Sequence, residues 1–515
     1  MTTTRFIVSH KLRPNRHRIT APDLLTYDND FRVTSWSVNG GAAITQSYNA
    51  DSQLTQAGGL NLAYNASSGF LAGGTLGVTS DAYQYTNYGE TGVYRATSGG
   101  SAVYEVSYTR DALGRIESEN RVVDGVSTLW SYRYDDAGRL VEVLKDGSSW
   151  SVYRYDSNGN RIEAATQSGL VAGVYDAQDR LLTYGNFSYT YTANGELNTK
   201  TDTATGQVTR YAYDVFGNLI RVDLSDGRVI EYVIDGANRR VGKKVNGVLV
   251  KGWLYKDSLK PVAELDGSGA IIAEFVYGSK YNVPDYVVKG GVSYRIISDH
   301  LGSPRLVINS VTGAVVSKLE YDEFGNVLED SSAGFTPFGF AGGLYDSDTG
   351  LVRFGARDYE PLVGRWIRKD PIRFGGHDSN LFSYVFNDPV NLNDPYGLLV
   401  INNSSSPIVV KPEVSGKPLE VLPPGERYEG KQDGLYTGDG RVYKSVDDID
   451  VIYNKDGSVN TRVSPDSINP FITTAEQIIL GGWKDNDWLK EKGWPSQDEA
   501  KRMLDEWLGN ASFCP

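Results

Sequence analysis

Between about Asp23 and Asp330 the chain alternates short runs of hydrophobic and polar residues with turn-forming residues. Within each run the apolar side chains follow a two-residue period and lead into a tyrosine, which is typical of half-buried β-strands. The breaks contain Gly beside Asp, Asn or Ala, and these dipeptides admit the positive φ of tight hairpin turns. The pattern therefore predicts a long series of short strands joined by hairpins.

One unit recurs along this region: Tyr-Asp, a few turn residues with Gly, then Arg or Asn followed by an aliphatic residue. Each unit of roughly 20 residues predicts one hairpin step that cannot bury its apolar face alone, so stacked units share a buried face. The clear copies are Tyr134-Asp135 with Gly138-Arg139-Leu140, Tyr155-Asp156 with Gly159-Asn160-Arg161, Tyr213-Asp214 with Gly217-Asn218-Leu219, and Tyr321-Asp322 with Gly325-Asn326-Val327.

Composition agrees with this reading and excludes several kinds of site. The 34 Tyr and 57 Gly suit many strands and tight turns. The formal net charge of −13 argues against nucleic acid as a partner of the repeat surface, because phosphate binding needs clustered Lys and Arg. Cys514 is the only cysteine, so neither an intrachain disulfide nor a cysteine-based zinc site is expected. No cofactor or metal site is predicted.

The chain contains no candidate membrane or leader segment. No window approaches about 18 consecutive apolar residues, which a transmembrane helix needs. The N-terminal segment 1–22 is basic but is not followed by an apolar run, so it fits neither a Sec signal nor an anchor. We expect a protein that is made in the cytoplasm and is secreted or delivered without a Sec signal.

The segment 340–398 is dense in Gly, Asp-Pro and aromatic residues, and it ends at a sharp change of composition. A linker-like run, Asn402 to Pro407, follows it, and the Tyr-Asp rhythm stops. Residues 408–463 predict short strands, and residues 473–510 predict mostly helix, with Ser496 and Glu499 as a capping box. Residues 399–515 are therefore expected to form a separate small α+β domain.

The tandem units resemble the YD repeats of the Rhs family and of the C component of Tc toxins, over roughly residues 20 to 398. Ser298 to Ile308 resembles the segment ahead of the Rhs core. Three further segments resemble the Rhs-associated core itself: Ala356–Tyr359, Gly364–Trp366 and Asp370–Ile372. Glu360 stands where the family often has Asp. The resemblance implies a mainly β fold, a spiral β-shell that encloses the C-terminal domain. The expected domains are 1–22, a shell at 23–339, a core with an autoproteolytic site at 340–398, and a cargo or toxin domain at 399–515.

Carboxylates are the candidate catalytic groups of the core. Two carboxyls a few ångströms apart cannot both ionise, so a pair that shares one proton can serve as general base and general acid on a water and a peptide carbonyl. Spacing alone does not select the pair among five candidates. These are Asp358, Asp370, Asp378, Asp388 and Asp394.

The resemblance narrows this choice. In Tc-type shells an Arg-Asp and an Asp twelve residues later carry self-cleavage, which corresponds to Arg357-Asp358 and Asp370. In Rhs effectors the first and the last Asp-Pro of the core are implicated, which corresponds to Asp370 and Asp394. We therefore expect an aspartyl site with Asp370 first, Asp358 second and Asp394 third, oriented by Arg357. The implied single-turnover cut lies between Leu398 and Leu399, and Asp378 and Asp388 are expected to be structural.

The resemblance also implies a function and partners. It implies a polymorphic toxin effector of interbacterial competition, with secretion or shell-sealing partners and an immunity protein that binds the C-terminal domain. That domain contains no His, and its reaction is not predicted. Two alternatives stay open: a non-catalytic adhesion or carbohydrate-binding protein built on the same repeats, and a shell whose tail is a degenerate remnant.

Overall fold

The computed structural model describes residues 24–373 and 378–398, together with the backbone of short strands between residues 400 and 463. The predicted N-terminal segment 1–22, Leu399 and the predicted helices of the tail lie outside the described residues. The chain divides into two compact units. One comprises Met1–Pro371 and Ser379–Arg427, and the other comprises Ile372–Asp378 and Tyr428–Pro515. The predicted domain boundary after Leu398 stays a prediction.

The first unit contains thirty consecutive strands, each paired antiparallel with the next one along the chain. The first fifteen are β1 Leu24–Tyr27, β2 Val33–Ser37, β3 Ile44–Tyr48, β4 Leu54–Ala57, β5 Leu60–Tyr64, β6 Leu71–Leu76, β7 Thr79–Tyr85, β8 Thr91–Ser98, β9 Ser101–Arg110, β10 Ile116–Val123, β11 Val126–Tyr134, β12 Leu140–Lys145, β13 Ser148–Tyr155, β14 Arg161–Thr166 and β15 Gly169–Tyr175. The next fifteen are β16 Leu181–Tyr184, β17 Phe187–Tyr191, β18 Leu197–Asp202, β19 Val208–Tyr213, β20 Leu219–Asp223, β21 Val229–Ile234, β22 Arg240–Val245, β23 Val248–Tyr255, β24 Pro261–Asp266, β25 Ile271–Val276, β26 Tyr286–Lys289, β27 Val292–Ser298, β28 Pro304–Asn309, β29 Val315–Tyr321 and β30 Val327–Asp330. The predicted mainly β fold is confirmed.

The Tyr-Asp turn is held by its own aspartate. In the turn after β11, Asp135 Oδ1 accepts hydrogen bonds from the backbone N–H groups of Ala137 and Arg139, both at 3.0 Å. Asp135 Oδ2 accepts one from Arg139 Nε at 2.7 Å. The Gly138 N–H donates to the Asp135 carbonyl, and Gly138 has a φ of 83°, which L side chains rarely adopt. One carboxylate thus accepts three hydrogen bonds within the turn, as expected for an Asx-type turn.

The tyrosine of each unit ties it to the unit before. The Tyr155 hydroxyl donates to the Leu140 carbonyl at 2.9 Å, and the Arg139 guanidinium lies 5.0 Å from the centre of the Tyr155 ring. Tyr134 repeats this arrangement with the Ile116 carbonyl and with Arg115. Because an arginine of the preceding turn covers the rings of Tyr134 and Tyr155, cation–π contacts join these neighbouring units.

Early and late strands of the ribbon pack against each other. The Val78 N–H donates to the Ser310 carbonyl at 2.8 Å, and the Gly59 N–H donates to the Tyr286 hydroxyl at 3.0 Å. A buried ion pair joins Asp81 to Arg295 across the same boundary. The apolar core there mixes side chains of β2–β6 with side chains of β23–β26, so strands that are distant in sequence share one buried face.

After β30 the first unit continues into a second, smaller sheet. This antiparallel sheet is formed by β31 Leu344–Asp346, β32 Leu351–Phe354, β33 Arg357–Glu360 and β34 Arg365–Trp366. Short 3-10 turns lie at Phe340–Gly342 and Val385–Asn387. The remaining strands are β35 Leu392–Asn393, β36 Val400–Asn402, β37 Ile408–Val410, β38 Glu420–Leu422 and β39 Arg427–Tyr428, and, in the second unit, β40 Val442–Val446, β41 Ile449–Tyr453 and β42 Val459–Val463.

Candidate functional site

Strand β33 carries two of the predicted site residues on its opposite faces. Arg357 is paired in register with Phe354 of β32, and Asp358 is paired with Arg353. Because successive residues of a strand point to opposite faces of the sheet, the Arg357 and Asp358 side chains enter different environments. This alternation separates two residues that are adjacent in sequence.

The Arg357 side chain brings together two of the three predicted aspartates. Its Nη2 atom lies 2.8 Å from Asp370 Oδ2 and 2.9 Å from Asp394 Oδ2. Its Nε atom donates to the Gly397 carbonyl oxygen at 2.6 Å, and the guanidinium lies 4.0 Å from the centre of the Trp366 ring. All three ionic side chains are buried, so two carboxylates converge on one cation away from solvent.

Asp394 also contacts the backbone next to the predicted cut. Its Oδ1 atom accepts a hydrogen bond from the Leu398 N–H at 3.0 Å, and its own carbonyl accepts one from the Gly397 N–H. The chain therefore curls around the Asp394 carboxylate between β35 and β36. The predicted cut is at the peptide bond between the Leu398 carbonyl carbon and the Leu399 nitrogen, so the Leu398 N–H belongs to the residue just before it. Leu399 lies outside the described residues.

Two glycines allow this terminal turn to approach β32 closely. A Cβ atom on Gly397, where φ is 65°, would lie 2.4 Å from the Phe354 carbonyl oxygen. A Cβ atom on Gly355 would lie 2.3 Å from the Tyr396 carbonyl oxygen, and the Ala356 N–H donates to that same carbonyl at 2.8 Å. Larger residues at either position would push the turn away from Arg357.

Asp358 lies in a separate ion network. Its Oδ1 atom is 2.7 Å from Arg240 Nη2, and its Oδ2 atom is 2.8 Å from Arg353 Nη1. Burial acts to raise the pKa of the Asp358 carboxyl, but the two guanidinium groups outweigh it and hold that pKa below its usual value. In this structure Asp358 is thus neutralised by Arg240 and Arg353, and the Asp370 carboxylate is bound by Arg357 instead.

Asp388 is buried without an ion pair among the described contacts. Its carboxylate accepts hydrogen bonds from the Asn391 backbone N–H and from Asn391 Nδ2. Burial raises the pKa of Asp388 to about 7. Asn391 also donates to the Tyr134 hydroxyl and accepts from the Ile116 N–H, so this pair ties the closing segment to β10 and β11. Asp378 lies in the other compact unit.

The repeats hold this core through side chains that were not among the predicted site residues. At three turns the repeat has Asn in place of Arg, and an amide offers an acceptor where a guanidinium offers only donors. Asn160 Oδ1 accepts from Arg365 Nη1 at 3.0 Å, and Asn218 Oδ1 accepts from Arg353 Nη2 at 3.2 Å. Asn326 Nδ2 donates to the Pro361 carbonyl. The Arg-to-Asn exchange was visible in the sequence and marks turns that contact the core.

The described residues contain neither a metal cluster nor a membrane-spanning helix. Within 24–373 and 378–398 no group of three or more His, Asp or Glu side chains is arranged to hold a metal ion. In that same part of the chain no helix is long and apolar enough to span a membrane.

Comparisons with known proteins identify the repeats. Residues 24–390 match the family model described as Teneurin YD-shell. Teneurin-3 of Mus musculus is 27% identical over 393 residues, which are 71% of this chain and 14% of that protein. The tRNA3(Ser)-specific nuclease WapA of Bacillus spizizenii is 28% identical over 284 residues, which are 52% of this chain and 12% of that protein.

A solved structure is also similar. The crystal structure of TcdB2-TccC3-Cdc42 matches 73% of this chain and 20% of its own, with 17% identity and a TM-score of 0.47. The chain spans less than a sixth of the length of the two relatives above. The family match covers more than half of the sequence and confirms the resemblance to YD-repeat proteins. The chain is therefore an Rhs/YD-repeat shell protein and belongs to the Teneurin YD-shell family.

Proposed function

We propose that the chain is a toxin-type shell that cuts itself after Leu398 and thereby separates residues 399–515 from the shell. The observation that carries this proposal is the double ion pair of Arg357 with Asp370 and Asp394, beside the Leu398 N–H. Two carboxylates on one guanidinium leave a net negative charge in a buried place, which favours the sharing of one proton between them. Such a pair can act as base and acid in peptide hydrolysis.

The reaction is a hydrolysis in which water is the only co-reactant. The ionised carboxyl of the pair removes a proton from water, and the water oxygen forms a bond to the Leu398 carbonyl carbon. The protonated carboxyl then gives its proton to the Leu399 nitrogen as the carbon–nitrogen bond breaks. The products are a carboxylate at Leu398 and an amine at Leu399. Arg357 fixes both carboxyls during these steps, and each chain reacts once.

The released segment is the proposed toxin. The similarity to WapA, which is named as a nuclease, supports a toxin-related role for the shell but covers only 52% of this chain. Residues 399–515 lack His, which removes the side chain most often used as a nuclease base or metal ligand. Enclosure of the segment by the shell, secretion or delivery without a Sec signal, a sealing partner and an immunity protein belong to the same proposal.

Expression of the intact chain tests the proposal. We expect two fragments, 1–398 and 399–515, that purify together, and a single band from Asp370→Asn. Mass spectrometry should place the new carboxyl terminus at Leu398. One uncut band from the native sequence under all conditions would instead favour the adhesion or carbohydrate-binding alternative. Growth arrest of bacteria that express 399–515 alone would exclude a degenerate tail.

A further inference from the structure

Tyr384 belongs to the aromatic cluster beside Arg357. It immediately precedes the 3-10 turn Val385–Asn387 and is fully buried. Its ring centre lies 4.4 Å from that of Tyr359 and 5.4 Å from that of Trp366. Trp366 in turn carries the Arg357 guanidinium on its face. Tyr384 is therefore one ring away from the cation that binds both candidate carboxylates.

No acceptor for the Tyr384 hydroxyl proton is found among the described residues, although the Asp394 backbone N–H acts on the hydroxyl oxygen. Its neighbour Tyr359 shows what a structural tyrosine does in the same cluster, since the Tyr359 hydroxyl donates to the Phe324 carbonyl at 2.8 Å. A buried hydroxyl without a partner lowers the stability of the fold, and a phenylalanine would fill the same space without this penalty. Packing alone therefore does not explain why position 384 has a tyrosine instead of a phenylalanine.

Among the charges that act on that hydroxyl, Asp394 has the largest effect. Burial raises the pKa of Tyr384 well above its ordinary value, and the negative charge of Asp394 raises it further. The hydroxyl consequently keeps its proton at any physiological pH and can serve only as a neutral donor or acceptor. Asp394 Oδ1 and Oδ2 already accept from the Leu398 N–H and from Arg357, and a carboxylate has lone pairs for further donors.

We propose that Tyr384 is a positioning residue for self-cleavage, whose hydroxyl donates a hydrogen bond to Asp394 as the two carboxyls of the site react. The inference rests on the proposed function. A third donor fixes the Asp394 carboxylate relative to the Leu398 backbone and favours its ionised form. Before reaction the hydroxyl proton has no acceptor, so it is available to a charge that shifts between Asp370 and Asp394 during hydrolysis.

The test is the substitution Tyr384→Phe in the full chain, which keeps the ring and removes only the hydroxyl. The cleavage rate is followed as the appearance of fragment 399–515 after cell-free synthesis, from mildly acidic to mildly alkaline pH. We expect cleavage to slow by about 10- to 100-fold, the range of one hydrogen bond to a charged group. The acidic limb of the pH profile should move to higher pH, because the ionised carboxyl loses a donor.

The matched control is Tyr189→Phe. Tyr189 is also buried, with 4% of its surface exposed, and its hydroxyl also has no partner among the described residues, but it lies on repeat strand β17. This variant should cleave like the native chain. In an Asp370→Asn background, which keeps the chain intact, both Phe variants should melt at or above the temperature of the parent.

The outcomes separate the inference from the proposed function. If Asp370→Asn abolishes cleavage while Tyr384→Phe cleaves with the native rate and pH profile, only the inference is overturned. If Tyr384→Phe lowers the melting temperature more than Tyr189→Phe does, the hydroxyl has a structural role and the inference also falls. If the native chain is never cut, both proposals fail.

Discussion

Arg240 and Asp358 form a buried ion pair, with 2.7 Å between Nη2 and Oδ1, although 118 residues separate them in the sequence. Arg240 begins repeat strand β22, and Asp358 lies on β33 of the small sheet. The pair therefore fastens the sheet that carries Arg357 to the repeats. The pair also gives Asp358 a structural role. This role favours Asp370 with Asp394, the pair that the Rhs-type resemblance implies, over Asp358 with Asp370, the pair that the Tc-type resemblance implies.

Asp358→Asn should act on stability. The change leaves Arg240 and Arg353 buried without their counter-charge, and removal of one partner from such a pair destabilises by about 3–5 kcal/mol. The free energy of unfolding is measured by urea denaturation in the Asp370→Asn background. Asp223→Asn breaks an exposed pair with Arg221 and should change it by less than about 1 kcal/mol. Full stability with complete loss of cleavage would instead make Asp358 a reacting group.

Arg357→Lys should abolish most cleavage while keeping the charge. A guanidinium holds Asp370, Asp394 and the Gly397 carbonyl at once, whereas an ammonium is a point charge without this fork geometry. Misplacement of the carboxyls by about 1 Å is expected to slow cleavage roughly 100-fold. The fraction cut is read on gels over time. Arg133→Lys, at a surface pair with Glu142, serves as the control and should cleave normally.

Gly397→Ala should displace the turn from Asp394 to Leu398, which precedes the proposed cut. Both Gly397 and the control Gly227 have positive φ, but a Cβ atom on Gly227 meets no atom within 4 Å. Gly227→Ala therefore reports the backbone strain alone, about 1 kcal/mol, and should leave cleavage unchanged. Gly397→Ala adds a clash with the Phe354 carbonyl and should slow cleavage at least roughly 10-fold. Equal rates in the two variants would contradict the tight fit of this turn.

Asp388 should make the fold less stable as pH rises. Burial raises its pKa from 3.8 to about 7, so the folded state binds a proton that the unfolded state has released. Its contribution is fully present below about pH 4 and is lost progressively up to about pH 7, by at most about 4 kcal/mol. Urea denaturation at about pH 5 and at about pH 8 measures the difference.

The matched variant for this pH dependence is Asp388→Asn, which does not titrate and should reduce the slope of stability against pH. Asp322 retains a dependence of the same sign, because burial and then the Glu323 charge raise its pKa to about 7 as well. The curve of Asp388→Asn should therefore be shallower than that of the native chain without becoming flat. An unchanged slope would mean that Asp388 reaches water in the folded state.

Asn160→Arg should weaken the attachment of the core. The substitution restores the residue of the commoner turn, but it removes the acceptor of Arg365 and Asn380 and places a second cation beside Arg365. A loss of about 3 kcal/mol or more in the free energy of unfolding is expected from the unpaired buried charge. The reverse change at the turn of Asp176, Arg180→Asn, should cost less than about 1 kcal/mol. If both variants are equally stable, the amide at position 160 has no special role.

The repeats were predictable because their determinants are local. The bonds of the Asp135 turn join residues within four positions, and the Tyr155 contact reaches only to the preceding unit. The candidate site depends on contacts over longer separations. The sequence indicated Arg357, Asp370 and Asp394 through a family resemblance, but not that Arg357 binds both aspartates, because spacing does not fix where a loop returns. The burial of Asp388 and the ion pairs of Asp358 likewise depend on tertiary contacts that sequence spacing does not reveal.

The pairing of β35 with β36 separates bond breaking from departure. Leu392 and Asn393 pair with Asn402 and Ile401, so the backbone is hydrogen-bonded on both sides of the segment that contains the proposed cut. Hydrolysis there would leave the new amino end clasped by the strand that precedes it. Release would then require β36 to separate from β35. The rate of that separation, rather than the rate of hydrolysis, would determine when the segment leaves.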